Sequence, residues 1–112
     1  MGNLEAMRDF TDVRDIVKAY AMLAESGKAG ETYNVGSGKA ARISDVLDII
    51  VSNAKCPITV RLDQARMRPS DVPLHCADIS KIQKDVGWIP VIPIETTIRD
   101  TLDHFRKLYA QK

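Results

Sequence analysis

The side chains of this chain best suited to bind a ligand are Arg68 and Asp71, which lie close together in the segment 66–73. Pro69 and Pro73 each fix their own φ and bias the preceding residue towards an extended conformation, so the segment is predicted to be a stiff loop. Arg68 carries a planar fork of donors suited to a phosphate, and an ionised Asp71 can only accept, which suits a pair of sugar hydroxyls. The loop therefore favours a phosphorylated sugar or a nucleotide. The alternative is a surface turn in which the two side chains pair with each other or with solvent.

Length and composition limit the scaffold that presents this loop. The chain has 112 residues, of which 45% are hydrophobic and 28% charged, so it is expected to form a single soluble globular domain. A formal net charge of +1 gives no overall field for holding nucleic acid or an anionic membrane. No apolar run approaches the ~20 residues that cross a bilayer, and no leader is recognisable, so a cytoplasmic location is expected. Cys56 and Cys76 are expected to be reduced thiols.

A helix is predicted near the start of the chain, with Thr11 or Asp12 as its N-cap. Apolar residues with helical spacing follow, and they predict one buried face: Val13, Ile16, Val17, Tyr20, Leu23 and Ala24. Gly27 stands where a left-handed residue ends many helices.

The rest of the chain alternates between predicted strands and helices. Two segments are rich in strand-forming residues, 32–35 and 58–62, and the extended pieces 8–10 and 74–77 are shorter. Three further helices are predicted, one capped by Ser44 and ended by Pro57, one capped by Asp78 or Ser80 and ended by Gly87, and one beginning at Ile94. The expected class is α/β, a mixed α+β small domain with helices packed on a small sheet.

The segment Gly36-Ser37-Gly38-Lys39-Ala40-Ala41 matches the dinucleotide fingerprint Gly-x-Gly-x-x-Ala and follows a predicted strand. That mechanism requires a helix to begin at the glycine turn, so that its amides face the pyrophosphate. Here the next helix is predicted to begin only at Ser44. A plain turn is therefore favoured over a cofactor site.

Catalytic groups are not recognisable. No tyrosine has a lysine four positions later, and neither His75 nor His104 has an evident catalytic partner. The residues by themselves indicate binding without chemistry.

Four blocks of the chain carry a family resemblance: residues 2–15, the segment 32–38, Arg68-Pro69-Ser70-Asp71-Val72 and Gly87-Trp88-Ile89-Pro90. In this order and spacing they resemble the C-terminal portion of an extended short-chain dehydrogenase/reductase, within the NAD-dependent epimerase/dehydratase family. The most similar branch is that of GDP-mannose 4,6-dehydratase and GDP-4-keto-6-deoxymannose reductase. The resemblance covers essentially the whole chain.

The resemblance implies that residues 1–112 form the smaller substrate domain, which closes over a nucleotide sugar held against an NAD(P)-binding Rossmann domain. It places Asn3 and Leu4 along the nucleotide, Arg8 and Arg68 on the diphosphate, and Asp71 on the ribose hydroxyls. A GDP-sugar is favoured as the ligand, with UDP- or dTDP-sugars as alternatives. For Arg8 the alternative role is an ion pair with a neighbouring carboxylate, Asp9 or Asp12.

The chain departs from the family pattern because the glycine-rich cofactor loop and the Tyr-x-x-x-Lys pair are absent. We therefore expect a fragment of a longer enzyme that is inactive alone, with NAD or NADP bound by residues absent here. The alternative is a free-standing remnant of such an enzyme. The face that normally packs on the Rossmann domain is expected to be exposed and to permit self-association. The alternative function is a non-catalytic interaction or regulatory module that keeps the substrate-domain fold.

Overall fold

The strand Met7–Asp9 (β1) is the centre of a small mixed sheet in the computed structural model, which describes residues 4–61, 63, 65 and 74–110. β1 pairs antiparallel with Ala40–Arg42 (β2) and parallel with Leu74–His75 (β3), giving the order β2-β1-β3. Arg8 therefore lies opposite Ala41 on one side and His75 on the other. Within the described ranges the helices are Val13–Ser26 (α1), Ile43–Ser52 (α2), Ser80–Val86 (α3) and Ile94–Ala110 (α4). The predicted class, helices on a small sheet, is confirmed.

Helix α1 begins where the sequence predicted, because Asp12 caps it and accepts a hydrogen bond from the Arg14 amide at 2.8 Å. The same carboxylate accepts a hydrogen bond from the Thr97 hydroxyl at 2.7 Å, which joins the start of α1 to α4. The predicted left-handed conformation at Gly27 is wrong, since its φ is −69°. A Cβ at Gly27 would lie 2.5 Å from the Leu23 carbonyl oxygen, so close approach of the backbone explains the glycine.

The buried face of α1 differs from the predicted one. Asp15 and Ala19 are the buried residues, and Leu23 alone of the predicted apolar stripe packs against the hydrophobic core. Val13, Val17 and Tyr20 are 69%, 55% and 62% exposed. The physical reason is hydrogen bonding: the Asp15 carboxylate accepts from the amides that follow Pro90, and this polar contact orients the helix.

Trp88 is the centre of the hydrophobic core. It is 2% exposed, and Ala19, Ile79 and Ile82 form the buried cluster around it. The indole Nε1 donates a hydrogen bond to the backbone carbonyl oxygen of Asp15 at 3.0 Å. Gly87, with a φ of 73°, ends α3 in the left-handed conformation, and the buried Trp88 follows it directly.

Two predicted strands are not formed. Residues 32–35 and the described part of 58–62 lie in irregular conformations. The predicted cap at Ser44 is also wrong, because α2 already begins at Ile43 and the Ser44 amide donates to the Leu4 carbonyl oxygen at 2.9 Å. The β-branched residues of both segments gave the strand signal, but neither segment finds a partner in the sheet β2-β1-β3.

Helices α2 and α4 pack against each other, and the Arg106 guanidinium donates to the backbone carbonyl oxygen of Asn53 at the end of α2. The far end of α4 is less covered, with Phe105 and Tyr109 both exposed. None of the helices in the described ranges is long and apolar enough to cross a membrane.

Candidate functional site

A cavity of about 530 Å³ lies beside β1. Its walls come from three parts of the chain: Arg8, Asp9 and Thr11 at the end of β1, residues 34–36, and residues 75–78 after β3. The parallel pairing of β1 with β3 brings two of these walls together. A cavity of this size, with a few convergent polar groups, is typical of a small-molecule site.

Arg8, which the sequence analysis assigned to the diphosphate, lines this cavity and is half-buried. One of its guanidinium nitrogens donates to the Met7 carbonyl oxygen at 2.7 Å. Of the two carboxylates named as alternative partners, Asp12 forms an ion pair with Arg14, and Asp9 accepts hydrogen bonds from backbone amides. A guanidinium fork in a cavity wall is suited to a phosphate.

Asp9 is the most connected side chain of the site, and sequence reasoning missed its role. Its carboxylate accepts hydrogen bonds from the Ser37 amide at 2.8 Å, the Ser37 hydroxyl at 2.7 Å and the Gly38 amide at 3.1 Å. It also accepts from the Ala77 amide at 3.2 Å and the Thr11 hydroxyl at 3.0 Å. Burial alone would raise the pKa of Asp9, but the hydrogen bonds, those of Ser37 foremost, outweigh burial and lower it below its ordinary value.

The glycine turn that matches a dinucleotide fingerprint is occupied by this carboxylate. The amides of Ser37 and Gly38 point at Asp9, and β2 separates the turn from the first residue of α2. The prediction that the helix begins too late for the fingerprint is therefore confirmed. The amides that would hold a pyrophosphate already hold an internal anion.

Of the four remaining predicted site residues, the structure describes one. Leu4 is described, and its backbone carbonyl oxygen accepts from the Ser44 amide at the start of α2. Asn3, Arg68 and Asp71 lie outside the described residues. The ligand roles of all four stay predictions.

His75 and Cys76 complete the wall that follows β3. The Cys76 thiol is free and exposed, as is that of Cys56, and its sulfur lies 3.8 Å from the Asp9 carboxylate. Burial, followed by the neighbouring charge of Asp9, raises the pKa of Cys76, so the thiol form is favoured. Within the described ranges, no cluster of three or more His, Cys, Asp or Glu side chains is placed to hold a metal ion.

A second cavity, of about 420 Å³, lies between the glycine turn and the segment that leads into α4. Phe10, Ser37 and residues 39–41 form one wall, and residues 90–95 form the other. Most of its lining side chains are apolar, with Lys39 and Glu95 as the charged exceptions.

Solved structures contain the same fold. RMD from Pseudomonas aeruginosa complexed with NADPH superimposes on 96% of this chain with a TM-score of 0.86 and 28% identity, and the chain covers 35% of that structure. The fold is thus that of a portion of an NAD-dependent epimerase/dehydratase-type protein.

Residues 1–101 match the family described as GDP-mannose 4,6 dehydratase, and the chain belongs to that family. It is 31% identical over 102 residues to GDP-6-deoxy-D-mannose reductase of Pseudomonas aeruginosa, an alignment of 91% of this chain and 34% of that protein. It is 32% identical over 111 residues to dTDP-glucose 4,6-dehydratase of Salmonella typhimurium, covering 93% of this chain and 30% of that protein. The chain therefore spans about a third of these relatives. The family predicted from the sequence is confirmed.

Proposed function

We propose that this chain is the nucleotide-sugar binding portion of an NAD(P)-dependent GDP-mannose 4,6-dehydratase or related GDP-4-keto-6-deoxyhexose reductase. The observation that carries the proposal is the position of Arg8, which lines the cavity beside β1. A diphosphate in that cavity would have the cationic fork of Arg8 as a partner. Arg68 and Asp71 are assigned in the same proposal to the diphosphate and the ribose, and Asn3 and Leu4 to the nucleotide.

The chain supplies binding in this proposal, and catalysis requires residues beyond these 112. Both relatives named above act on nucleotide sugars, one with guanine and one with thymine as its base. We favour the GDP-sugar because the family match is to the GDP-mannose enzymes. NAD or NADP would be bound by the part of the longer protein that this chain does not span, in keeping with the NADPH complex of the structural neighbour.

Replacing Arg8 by alanine is expected to weaken the binding of GDP-mannose about ten- to hundred-fold. A charge-assisted hydrogen bond to a phosphate contributes about 1.5–3 kcal/mol, and alanine removes it without filling the cavity. Isothermal titration calorimetry of the wild-type chain and of Arg8→Ala, with GDP-mannose and dTDP-glucose as ligands, measures the change and the base preference.

Arg42 supplies the matched control for this experiment. It lies on β2 of the same sheet, is exposed, and its guanidinium is 3.6 Å from the Glu5 carboxylate. Arg42→Ala removes the same charge from the chain and is expected to leave the dissociation constant within two-fold, as for a screened surface charge. Equal affinities for Arg8→Ala and the wild type would show that Arg8 is not a ligand residue.

A second candidate function, that of an interaction module, is favoured by the exposed face of α1. Phe10 continues the row formed by Val13, Val17 and Tyr20, and all four side chains are exposed. A row of large apolar side chains at the surface favours a protein partner. In the longer enzyme this face would pack on the Rossmann domain, and in the isolated chain we propose that it mediates self-association.

The chain is accordingly expected to form dimers in a concentration-dependent manner, and Val17→Lys is expected to weaken the dimer at least ten-fold. A lysine in the middle of the row must be desolvated without a partner if the dimer forms. Sedimentation equilibrium over a hundred-fold range of concentration measures the constant. Leu108→Lys, on the exposed side of α4, is the control. A wild-type chain that stays monomeric throughout the range would contradict the proposal.

A further inference from the structure

We propose that Asp9 is the positioning residue of the nucleotide-sugar cavity: its carboxylate holds the two walls on either side of Arg8 at a fixed separation. The inference rests on the proposed function for the identity of the ligand. Asp9 needs no contact with that ligand, because it affects binding through the backbone amides that it holds on both sides.

The Asp9 carboxylate accepts hydrogen bonds from Ser37 and Gly38, which directly follow the wall formed by residues 34–36, and from Ala77 in the wall formed by residues 75–78. Oδ1 accepts from the Ser37 amide and hydroxyl and from the Thr11 hydroxyl, at 2.7–3.0 Å. Oδ2 accepts from the Ala77 amide at 3.2 Å and from the Gly38 amide at 3.1 Å. One side chain therefore links the glycine turn to the segment after β3. Gly38 and Ala77, the residues it joins, are 39 residues apart in the sequence.

Arg8 is held between the same two walls. It immediately precedes Asp9 on β1, and His75, its parallel partner in β3, lies two residues before Ala77. The Asp9 carboxylate thus holds the backbone of Ala77, just after the point where Arg8 and His75 pair. A change at Asp9 is therefore expected to alter the width of the cavity that Arg8 lines.

The packing around the carboxylate leaves little room for adjustment. A Cβ built on Gly36 would lie 2.7 Å from the Ala77 Cβ and 2.8 Å from Asp9 Oδ2. Gly36 in one wall therefore lies close against Ala77 in the other and against the Asp9 carboxylate, and only glycine fits at position 36. Gly36→Ala is expected to separate the walls without removing the charge of Asp9.

An amide cannot replace this carboxylate. The amides of Ser37, Gly38 and Ala77 and the hydroxyl of Ser37 all donate to the Asp9 carboxylate, so an asparagine in its place would turn its NH₂ group towards donors. If the asparagine oxygen keeps the place of Oδ1, the Ala77 amide loses its acceptor. If the side chain is rotated, the Ser37 amide loses its acceptor instead, and the Gly38 and Ala77 amides keep theirs. Asp9→Asn is thus expected either to break the link to Ala77 or to weaken the hold on the glycine turn.

Amide hydrogen exchange measured by NMR on the chain of 112 residues tests the linkage without a ligand. In Asp9→Asn the exchange of either the Ala77 or the Ser37 amide is expected to accelerate at least ten-fold, the equivalent of about 1.4 kcal/mol of lost protection. Asp78→Asn is the matched control, since Asp78 is another carboxylate of the cavity whose partner is the Ser80 amide. Unchanged exchange at Ser37, Gly38 and Ala77 in Asp9→Asn would overturn the proposal.

Affinity for GDP-mannose separates a positioning role from a general loss of stability. Asp9→Asn and Gly36→Ala are both expected to weaken binding at least ten-fold, the range expected when a binding group is displaced. Thr97→Val breaks a hydrogen bond to Asp12 away from the cavity and is expected to leave affinity unchanged. The proposal is overturned by wild-type affinity in Asp9→Asn or by an equal loss in Thr97→Val. If the wild-type chain binds no nucleotide sugar, the proposed function fails, and the exchange rates alone decide whether Asp9 holds the walls.

Discussion

Replacing Trp88 by alanine is expected to lower the free energy of unfolding by about 3–5 kcal/mol, the range for removing a buried aromatic side chain. The indole is 2% exposed, packs on Ala19 and Ile82, and donates to the Asp15 carbonyl oxygen. The substitution leaves a cavity and removes the hydrogen bond from the indole to α1. A small domain has about 5–15 kcal/mol in total, so much of its stability depends on this residue.

Chemical denaturation followed by far-ultraviolet circular dichroism measures the effect. Trp88 is the single tryptophan of the chain, so its fluorescence reports unfolding of the wild type but is lost in the variant. Trp88→Phe, which keeps most of the volume and loses the N–H donor, is expected to cost about 1–2 kcal/mol and to remain folded. Tyr109→Ala is the exposed aromatic control. A change below about 1 kcal/mol in Trp88→Ala would contradict the placement of this core.

Replacing Asp12 by alanine is expected to cost about 2–4 kcal/mol at pH 7, since it removes a helix cap and the buried acceptor of Thr97 together. The hydrogen bond and charge of Arg14 lower the pKa of Asp12 far below its ordinary value, and burial opposes this only in part. A carboxyl group with a lowered folded-state pKa stabilises the fold above its unfolded pKa, near 4. That stabilisation is lost as the pH falls through the folded-state value.

The difference in unfolding free energy between the wild type and Asp12→Ala is therefore expected to shrink as the pH is lowered below about 4. Urea titrations at pH 7, 4 and 2.5 give the three values. Asp103→Ala, which removes an exposed carboxylate paired with Arg106 on α4, is expected to change stability by less than about 0.5 kcal/mol at any of these pH values. A difference for Asp12→Ala that is independent of pH would show that its ionised form is not what stabilises the helix start.

The positions of the helices followed from the sequence because local signals determine them. The Asp12 cap and the glycine after α3 each operate within a few residues, and both are present in the structure. The two segments rich in β-branched residues were wrong as strands, because strand formation depends on a partner elsewhere in the chain.

The orientation of α1 shows where a periodic pattern is insufficient. Its most apolar side, with Val13, Val17 and Tyr20, is exposed, and its inner side contains the carboxylate of Asp15. Hydrophobic spacing identifies a face that needs covering, but it does not say whether this chain or another part of a longer protein covers it. The small and polar inner face is explained only by contacts with residues 88–92, far along the chain.

The sequence predicted one of the two main residues of the candidate site, Arg8, and missed the other, Asp9, because long-range contacts decide the role of Asp9. Arg8 could be singled out as a cation in a family-like block, and the structure places it in the wall of a cavity. The role of Asp9 could not be predicted, because its links to the cavity walls are to backbone amides 28 and 68 residues away, and a backbone amide leaves no mark on the residue types. The glycines of the 36–38 turn were noticed for a fingerprint, whereas at Gly36 close approach to Asp9 and Ala77 is the constraint.

The most direct test of the account is the location of a bound nucleotide sugar. Two-dimensional NMR spectra of the isotope-labelled chain, titrated with GDP-mannose, report every backbone amide at once. We expect the largest shifts at Arg8, Asn34 and residues 75–78, and unchanged amide signals at Val91, Ile92, Ile94 and Glu95 of the second cavity. Shifts confined to the second cavity, or no shifts at millimolar ligand, would contradict the assignment of the cavity beside β1 as the nucleotide-sugar site.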